Sequence, residues 1–127
     1  KLNDMLKSGN KAGVFEFASS NELWRASLDV IDFMPLASVN YSGGIIITDW
    51  YSNENSQNES IKITIRFLTN EIRSDALNIK VFTRKCKESL INCKYIESNK
   101  SLVAELKKEI LKRATKFQIE NKEKNNK

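Results

Sequence analysis

Ile61-Lys62-Ile63-Thr64-Ile65-Arg66-Phe67 alternates apolar and polar residues without a fault. Side chains of a strand point to opposite faces with a period of two, whereas a helix would scatter these isoleucines around its circumference. The stretch reads as a β-strand with Ile61, Ile63 and Ile65 on a buried face. Leu77–Thr83 repeats the pattern through Ile79 and Val81. The connection between the two, Thr69–Asp75, is short and polar, which favours antiparallel neighbours. Upstream, Leu36–Tyr41 and Gly44–Tyr51 read as two further strands joined by a tight Ser42-Gly43-Gly44 turn, because glycine accepts positive φ. Tyr95-Ile96 is expected to add a short fifth strand, paired back across a cysteine-bearing loop.

Helices flank this meander. Ser19-Ser20-Asn21-Glu22 has the form of a capping box with Ser19 as N-cap, followed by a helix to about Phe33 and a stop at Pro35. At 100° per residue Arg25, Asp29 and Asp32 share one narrow strip, and Leu23, Trp24, Leu28, Val30, Ile31 and Phe33 occupy most of the rest. A surface helix needs an apolar stripe only a little over 100° wide, so a sheet alone does not cover this one. A second helix, the N-terminal segment or another molecule must lie beside it. Lys100 to Ile119 supplies such a helix, with Leu102, Val103, Leu106, Ile110, Ala114 and Phe117 on one stripe. Arg113 falls inside that stripe, where its stem packs and its guanidinium reaches out to water.

The fold class expected is α+β: a four- to five-stranded antiparallel meander with N-terminal and C-terminal helices on one face, a helix-grip-like arrangement. Residues 1–18 read as a flexible or extended arm, 19–119 as a single domain and 120–127 as a disordered basic tail. The length of 127 residues suits one domain. Residues 112–127 hold six Lys or Arg and two Glu, so four of the five excess positive charges sit there. No apolar run approaches the roughly 20 residues of a membrane span. The chain opens on Lys1 without an initiator methionine, so any signal or lipid-attachment segment would fall outside this sequence.

Catalytic and metal signals are sparse. The chain has no histidine, which removes the commonest general base and zinc ligand. Cys86 and Cys93 match no zinc or redox-motif spacing; they would bridge in an oxidising compartment and stay free thiols in the cytosol. No phosphate loop, nucleophile elbow or metal cluster is present, and no cofactor is expected. Asp49, Glu59, Asp75, Arg66 and Arg73 are the polar groups nearest strand ends. Arg73 and Asp75 share a turn and are expected to hold each other or to cap backbone there, rather than to serve acid–base chemistry.

The docking candidates lie in Gly43-Gly44-Ile45-Ile46-Ile47-Thr48-Asp49-Trp50-Tyr51-Ser52. Alternation puts Ile45, Ile47, Asp49 and Tyr51 on one face and Ile46, Thr48 and Trp50 on the other. With Ile45 and Ile47 turned to the helices, Trp50 stands on the open face near Thr64, Arg66, Lys80 and Phe82; the opposite phase buries Trp50. The binding surface named on this basis is Trp50, Tyr51, Arg66 and Phe82, with the polar 52–59 loop beside it. Trp, Tyr, Phe and Arg are the residues that concentrate binding energy at protein interfaces. Base stacking with phosphate contact is the second use of such a face, but the strand–helix alternation and aromatic motifs of RNA-binding sheets are absent. The bland alternative has the N-terminal arm covering Trp50.

Leu23-Trp24-Arg25-Ala26-Ser27-Leu28-Asp29, Phe33-Met34-Pro35-Leu36-Ala37-Ser38 and the Gly43–Ser52 run appear in that order. Asn58-Glu59, Lys62, Arg73-Ser74-Asp75-Ala76-Leu77, Val81-Phe82 and Ile110-Leu111-Lys112-Arg113-Ala114 follow. Together these words resemble an alphaproteobacterial family of unknown function whose members look like small envelope lipoproteins, over roughly residues 20–117. The chain departs from the family at Lys85–Tyr95, where members tend to have a tryptophan-bearing hairpin rather than a Cys86…Cys93 loop. The element order is similar to the helix-grip domains of outer-membrane assembly lipoproteins. The resemblance implies the periplasm or the inner leaflet of the outer membrane, and the function expected there is a non-catalytic protein-binding module, in outer-membrane assembly or maintenance. It implies an N-terminal secretion signal, often with a lipid-attachment cysteine, upstream of this chain, and no assigned activity; the partner expected from the open face is an envelope protein. Nucleic-acid or anionic-surface binding by the open face is the alternative, and a small carboxylate-based enzyme the second.

Overall fold

A computed structural model describes residues 21–53, 55, 58–88, 91–97 and 99–125. The expected arm at 1–18 and the Ser19 cap lie outside the described residues. The first helix, α1 (Glu22–Val30), is capped instead by Asn21, whose side chain accepts from the Trp24 N–H at 3.2 Å. It ends at Val30, three residues short of Phe33, in a turn over Ile31–Phe33.

The sheet holds five antiparallel strands in sequence order: β1 (Leu36–Asn40), β2 (Ile45–Thr48), β3 (Glu59–Phe67), β4 (Leu77–Glu88) and β5 (Ile91–Glu97). Gly44 closes the β1–β2 turn at φ +65°, and its carbonyl accepts from the Phe67 N–H at 2.8 Å. A Cβ there would meet the Phe67 carbonyl oxygen at 3.2 Å, so the position needs glycine on both counts. β4 and β5 run longer than alternation suggested. The cysteine-bearing segment is a hairpin, with Cys86 opposite Cys93 and Arg84 opposite Tyr95.

α2 (Lys100–Asn125) crosses the same face as α1. Leu23, Trp24, Ala26 and Ile31 of the first helix region join Leu106, Ile110 and Ala114 of α2. They form one core with Ile46, Ile63, Ile65, Ile79 and Val81 of the sheet. The wide apolar surface of α1 is thus divided between sheet and helix, as its wheel requires. Trp24 fills the end of the core, with Tyr41 edge-on at 4.9 Å and Phe67 at 5.1 Å. The charged strip of α1 also meets α2, which runs antiparallel to it. Glu22 accepts from Asn121, the Arg25 guanidinium lies 4.0 Å over the Phe117 ring, and Arg113 pairs with Asp29. Arg113 therefore has a partner rather than reaching only to water. Both groups are substantially exposed, so the pair adds little stability.

Residues 120–125 are helical, which corrects the expected tail. Asn121 is tied to Glu22, and Lys122 and Lys124 stand in the last turn, where cations favour the helix dipole.

β2 corrects a second expectation. Ile46 is opposite Ile65, and Ile46 and Thr48 are fully buried, whereas Ile45 and Ile47 are only half-buried on the other face. The bond from Phe67 to the Gly44 carbonyl sets this register, and a slip of one residue exchanges the two faces. Ile47 pairs with Thr64, yet Tyr51 bridges to Ile61, so Thr48–Trp50 stand against Lys62 and Ile63. This is a β-bulge. The Thr48 hydroxyl accepts from the Ile63 N–H at 2.8 Å within it, which leaves that buried donor satisfied. A further irregularity falls between Leu36 and Ser38 on β1, next to the same stretch.

Candidate functional site

The bulge decides where Trp50 goes. Unbroken alternation would send it inward with Ile46 and Thr48. The extra residue turns it outward instead, among side chains whose phase is opposite to Ile63 and Val81. The Arg84 guanidinium lies 4.6 Å over its ring, the Lys62 ammonium 5.7 Å away and the Tyr95 ring 6.0 Å away. Asp49 holds the turn by accepting from the Trp50 N–H at 2.8 Å.

Behind the indole, Arg84 Nη2 donates to Ser60 Oγ at 3.3 Å, and Ser60 shares a 2.7 Å hydrogen bond with Ser52. Ser60 is buried, and Arg84 Nε is shut from solvent with no acceptor. Tyr95 is 66% exposed and forms the outer wall. The next pair along the hairpin is Cys86 and Cys93, joined as a disulfide. This bond holds the register that sets Arg84 against Tyr95.

Of the four residues named from sequence, three share the outer face. Phe82 is half-buried, between Lys62 and Glu97 in register. Arg66 is exposed in a row with Ile45 and Asn78, two rows along β3 from Lys62. Tyr51 leaves the set. Its bridge to Ile61 directs it to the core side, where Phe33 packs edge-on at 5.5 Å. Of the loop at 52–59, Ser52 is anchored through Ser60, while residues 54, 56 and 57 lie outside the described residues.

Sequence reasoning missed Lys62, Arg84 and Tyr95 as members. Lys62 stood in the polar row of the strand read first, and extending the β4 alternation past Thr83 would have reached Arg84. Tyr95 needed the hairpin register. The other candidate groups do not converge. Arg73 holds Asp75 and Glu71, each at 2.8 Å. A shallow groove of about 510 Å³ between β4 and the start of α2 is lined by Ile79, Lys80, Glu97, Lys100, Val103 and Lys107, and touches neither Asp49 nor Asp75. Among the described residues no three His, Cys, Asp or Glu gather as metal ligands, and no helix is long and apolar enough to cross a membrane.

The disulfide has a measurable role. Cys86→Ser with Cys93→Ser frees a loop of about eight residues, for which chain entropy gives a loss of roughly 2–3 kcal/mol. The melting temperature of the double variant should fall by about 10 °C. Thermal unfolding followed by circular dichroism checks this; an unchanged midpoint would mean that the ladder alone holds the hairpin.

The model of a family described as a domain of unknown function, DUF3576, matches residues 17–119. An uncharacterized protein of Rickettsia prowazekii (strain Madrid E), RP420, is 38% identical over 99 residues, 76% of this chain and 57% of the relative. The chain thus spans a little over half the length of that relative. No solved structure matches the chain significantly.

Proposed function

The chain belongs to the alphaproteobacterial DUF3576 family, and from that premise we propose that it is a non-catalytic protein-docking module of the cell envelope. The observation that carries the reading is the outer face of the sheet. Both helices pack on the inner face, and a bulge places Trp50 on the outer one beside Phe82, Arg84 and Tyr95. Large aromatics and arginine on an exposed, rigid sheet are the features of interface hot spots.

Three further points support the cellular setting. The lipoprotein character that the sequence words suggest would put the domain in the periplasm or on the inner leaflet of the outer membrane, anchored through a segment upstream. Disulfides such as Cys86–Cys93 persist in oxidising compartments. Two helices on one side of an antiparallel meander resemble, at the level of fold, the helix-grip domains of outer-membrane assembly lipoproteins, which favours a role in assembling or maintaining that membrane. A non-catalytic role is supported by the groove between β4 and α2, whose lining among the described residues includes neither Asp49 nor Asp75.

A photo-crosslinking amino acid at Phe82, introduced in cells that make the protein natively, tests this reading. A discrete envelope-protein adduct is expected. Trp50→Ala should abolish it, a loss of at least about 2 kcal/mol or thirty-fold in affinity, while moving the melting temperature of the purified domain by only a few degrees. An adduct undiminished in Trp50→Ala would refute docking through this face. A collapse in stability would assign Trp50 to the core instead.

A further inference from the structure

On the reading just given, we propose that the outer face selects an acidic peptide segment of its partner, with a carboxylate held by Arg84 and Lys62 beside an apolar side chain seated on Trp50 and Tyr95.

The charges argue for this. Three of the cations that make specific contacts have a carboxylate: Arg73 has Glu71 and Asp75, Arg113 has Asp29, and Lys80 has Glu97 at 3.7 Å; Arg25 lies alone over the Phe117 ring. Lys62 and Arg84 are different. They converge on one indole ring, and among the described residues neither has a carboxylate within ion-pair distance. Asp49, next to Trp50 in sequence, is engaged with the Trp50 N–H, and Glu97, opposite Phe82 on the same face, is paired with Lys80. Two cations on one aromatic ring repel each other, and an incoming carboxylate would relieve that repulsion.

The geometry argues for a carboxylate in particular. The guanidinium lies over Trp50 and donates to Ser60, itself held by Ser52, and these two contacts restrain it. The hydrogen bond to Ser60 is the only one the Arg84 side chain makes among the described residues; Nε is shut from solvent, so the outward-reaching Nη donors are the ones left for an incoming acceptor. A planar fork held rigid with free donors matches a two-oxygen acceptor. The exposed Tyr95 and half-buried Phe82 supply the apolar neighbour. A nucleic acid fits less well. The strand–helix alternation of RNA-binding sheets is absent among the described residues, where the five strands follow one another without a helix between them.

The test pairs two measurements on the intact chain. The ¹⁵N-labelled protein is titrated with acetyl-Ser-Glu-Phe-Glu-Ser-amide, with its glutamine counterpart acetyl-Ser-Gln-Phe-Gln-Ser-amide, with inorganic phosphate and with a twelve-residue oligothymidylate. The acidic peptide is expected to shift the Trp50 indole and the Lys62, Arg84 and Tyr95 amides saturably. The glutamine peptide should bind about ten-fold more weakly or worse, as should the acidic peptide to Arg84→Gln or Lys62→Gln. Equal binding of the two peptides, no shift on this face, or tighter binding of phosphate or oligothymidylate would overturn the proposal. Lys62→Gln serves where Arg84→Gln lowers the melting temperature. In cells, the Phe82 crosslink separates the two ideas. Loss in Trp50→Ala with full retention in Arg84→Gln and Lys62→Gln sinks the acidic segment alone, whereas retention in Trp50→Ala sinks docking itself.

Discussion

Trp24→Ala should lower the unfolding free energy by about 3–5 kcal/mol, the cost of truncating a buried tryptophan to alanine. The side chain is 5% exposed and closes one end of the core against Tyr41 and Phe67. Removing it empties a space bounded by α1, the β1–β2 turn and the end of β3, and these neighbours belong to different elements that do not collapse together easily. Domains of this kind are stable by only about 5–15 kcal/mol, so the variant should be partly unfolded at 37 °C. Urea denaturation is the measurement, read as a lower midpoint at nearly constant slope. A loss under about 1 kcal/mol would contradict the packing of α1 on the sheet. The contrast with Trp50→Ala is part of the expectation: two tryptophans in one small domain, one holding the core and the other facing outward.

The second large effect separates neighbours in the chain. Ile46→Ala should cost about 3–4 kcal/mol and Ile47→Ala about 1 kcal/mol, since only the former deletes a fully buried side chain. The opposite order would restore the strand phase that alternation alone suggested, with Ile45 and Ile47 turned to the helices. It would also remove the bulge that presents Trp50. The pair of measurements thus tests the strand phase and the construction of the outer face at once.

Much of this architecture was legible in the residues. Ile61, Ile63 and Ile65, with Ile79 and Val81, announced the inner rows of β3 and β4. The excess apolar surface of α1 demanded a second cover, and the stripe from Leu102 to Phe117 supplied it. Arg73 and Asp75 do hold each other. Such readings succeed because each depends on spacing within one element, where period and burial are coupled directly.

Other features depended on spacing between elements. Three consecutive isoleucines at 45–47 are equally apolar in either phase, so nothing local chose Ile46 for the core. The choice came from the bond between Phe67 and Gly44, across the sheet. The hairpin extended β4 and β5 because pairing satisfies backbone groups whatever the side chains, and Lys85, Lys87 and Lys94 hide that from a hydrophobic pattern. Joining of Cys86 to Cys93 followed from the same register.

The amino-acid order by itself determined the fold class, the faces of the two helices and the inner rows of β3 and β4, because periodicity sorts apolar from polar within a single element. Only the tertiary structure decided which isoleucine of β2 is buried, which side Trp50 takes and which cations meet it. The first turns on a hydrogen bond across the sheet and the others on one inserted residue in a strand pairing, and a register is a relation between strands that neither strand carries alone.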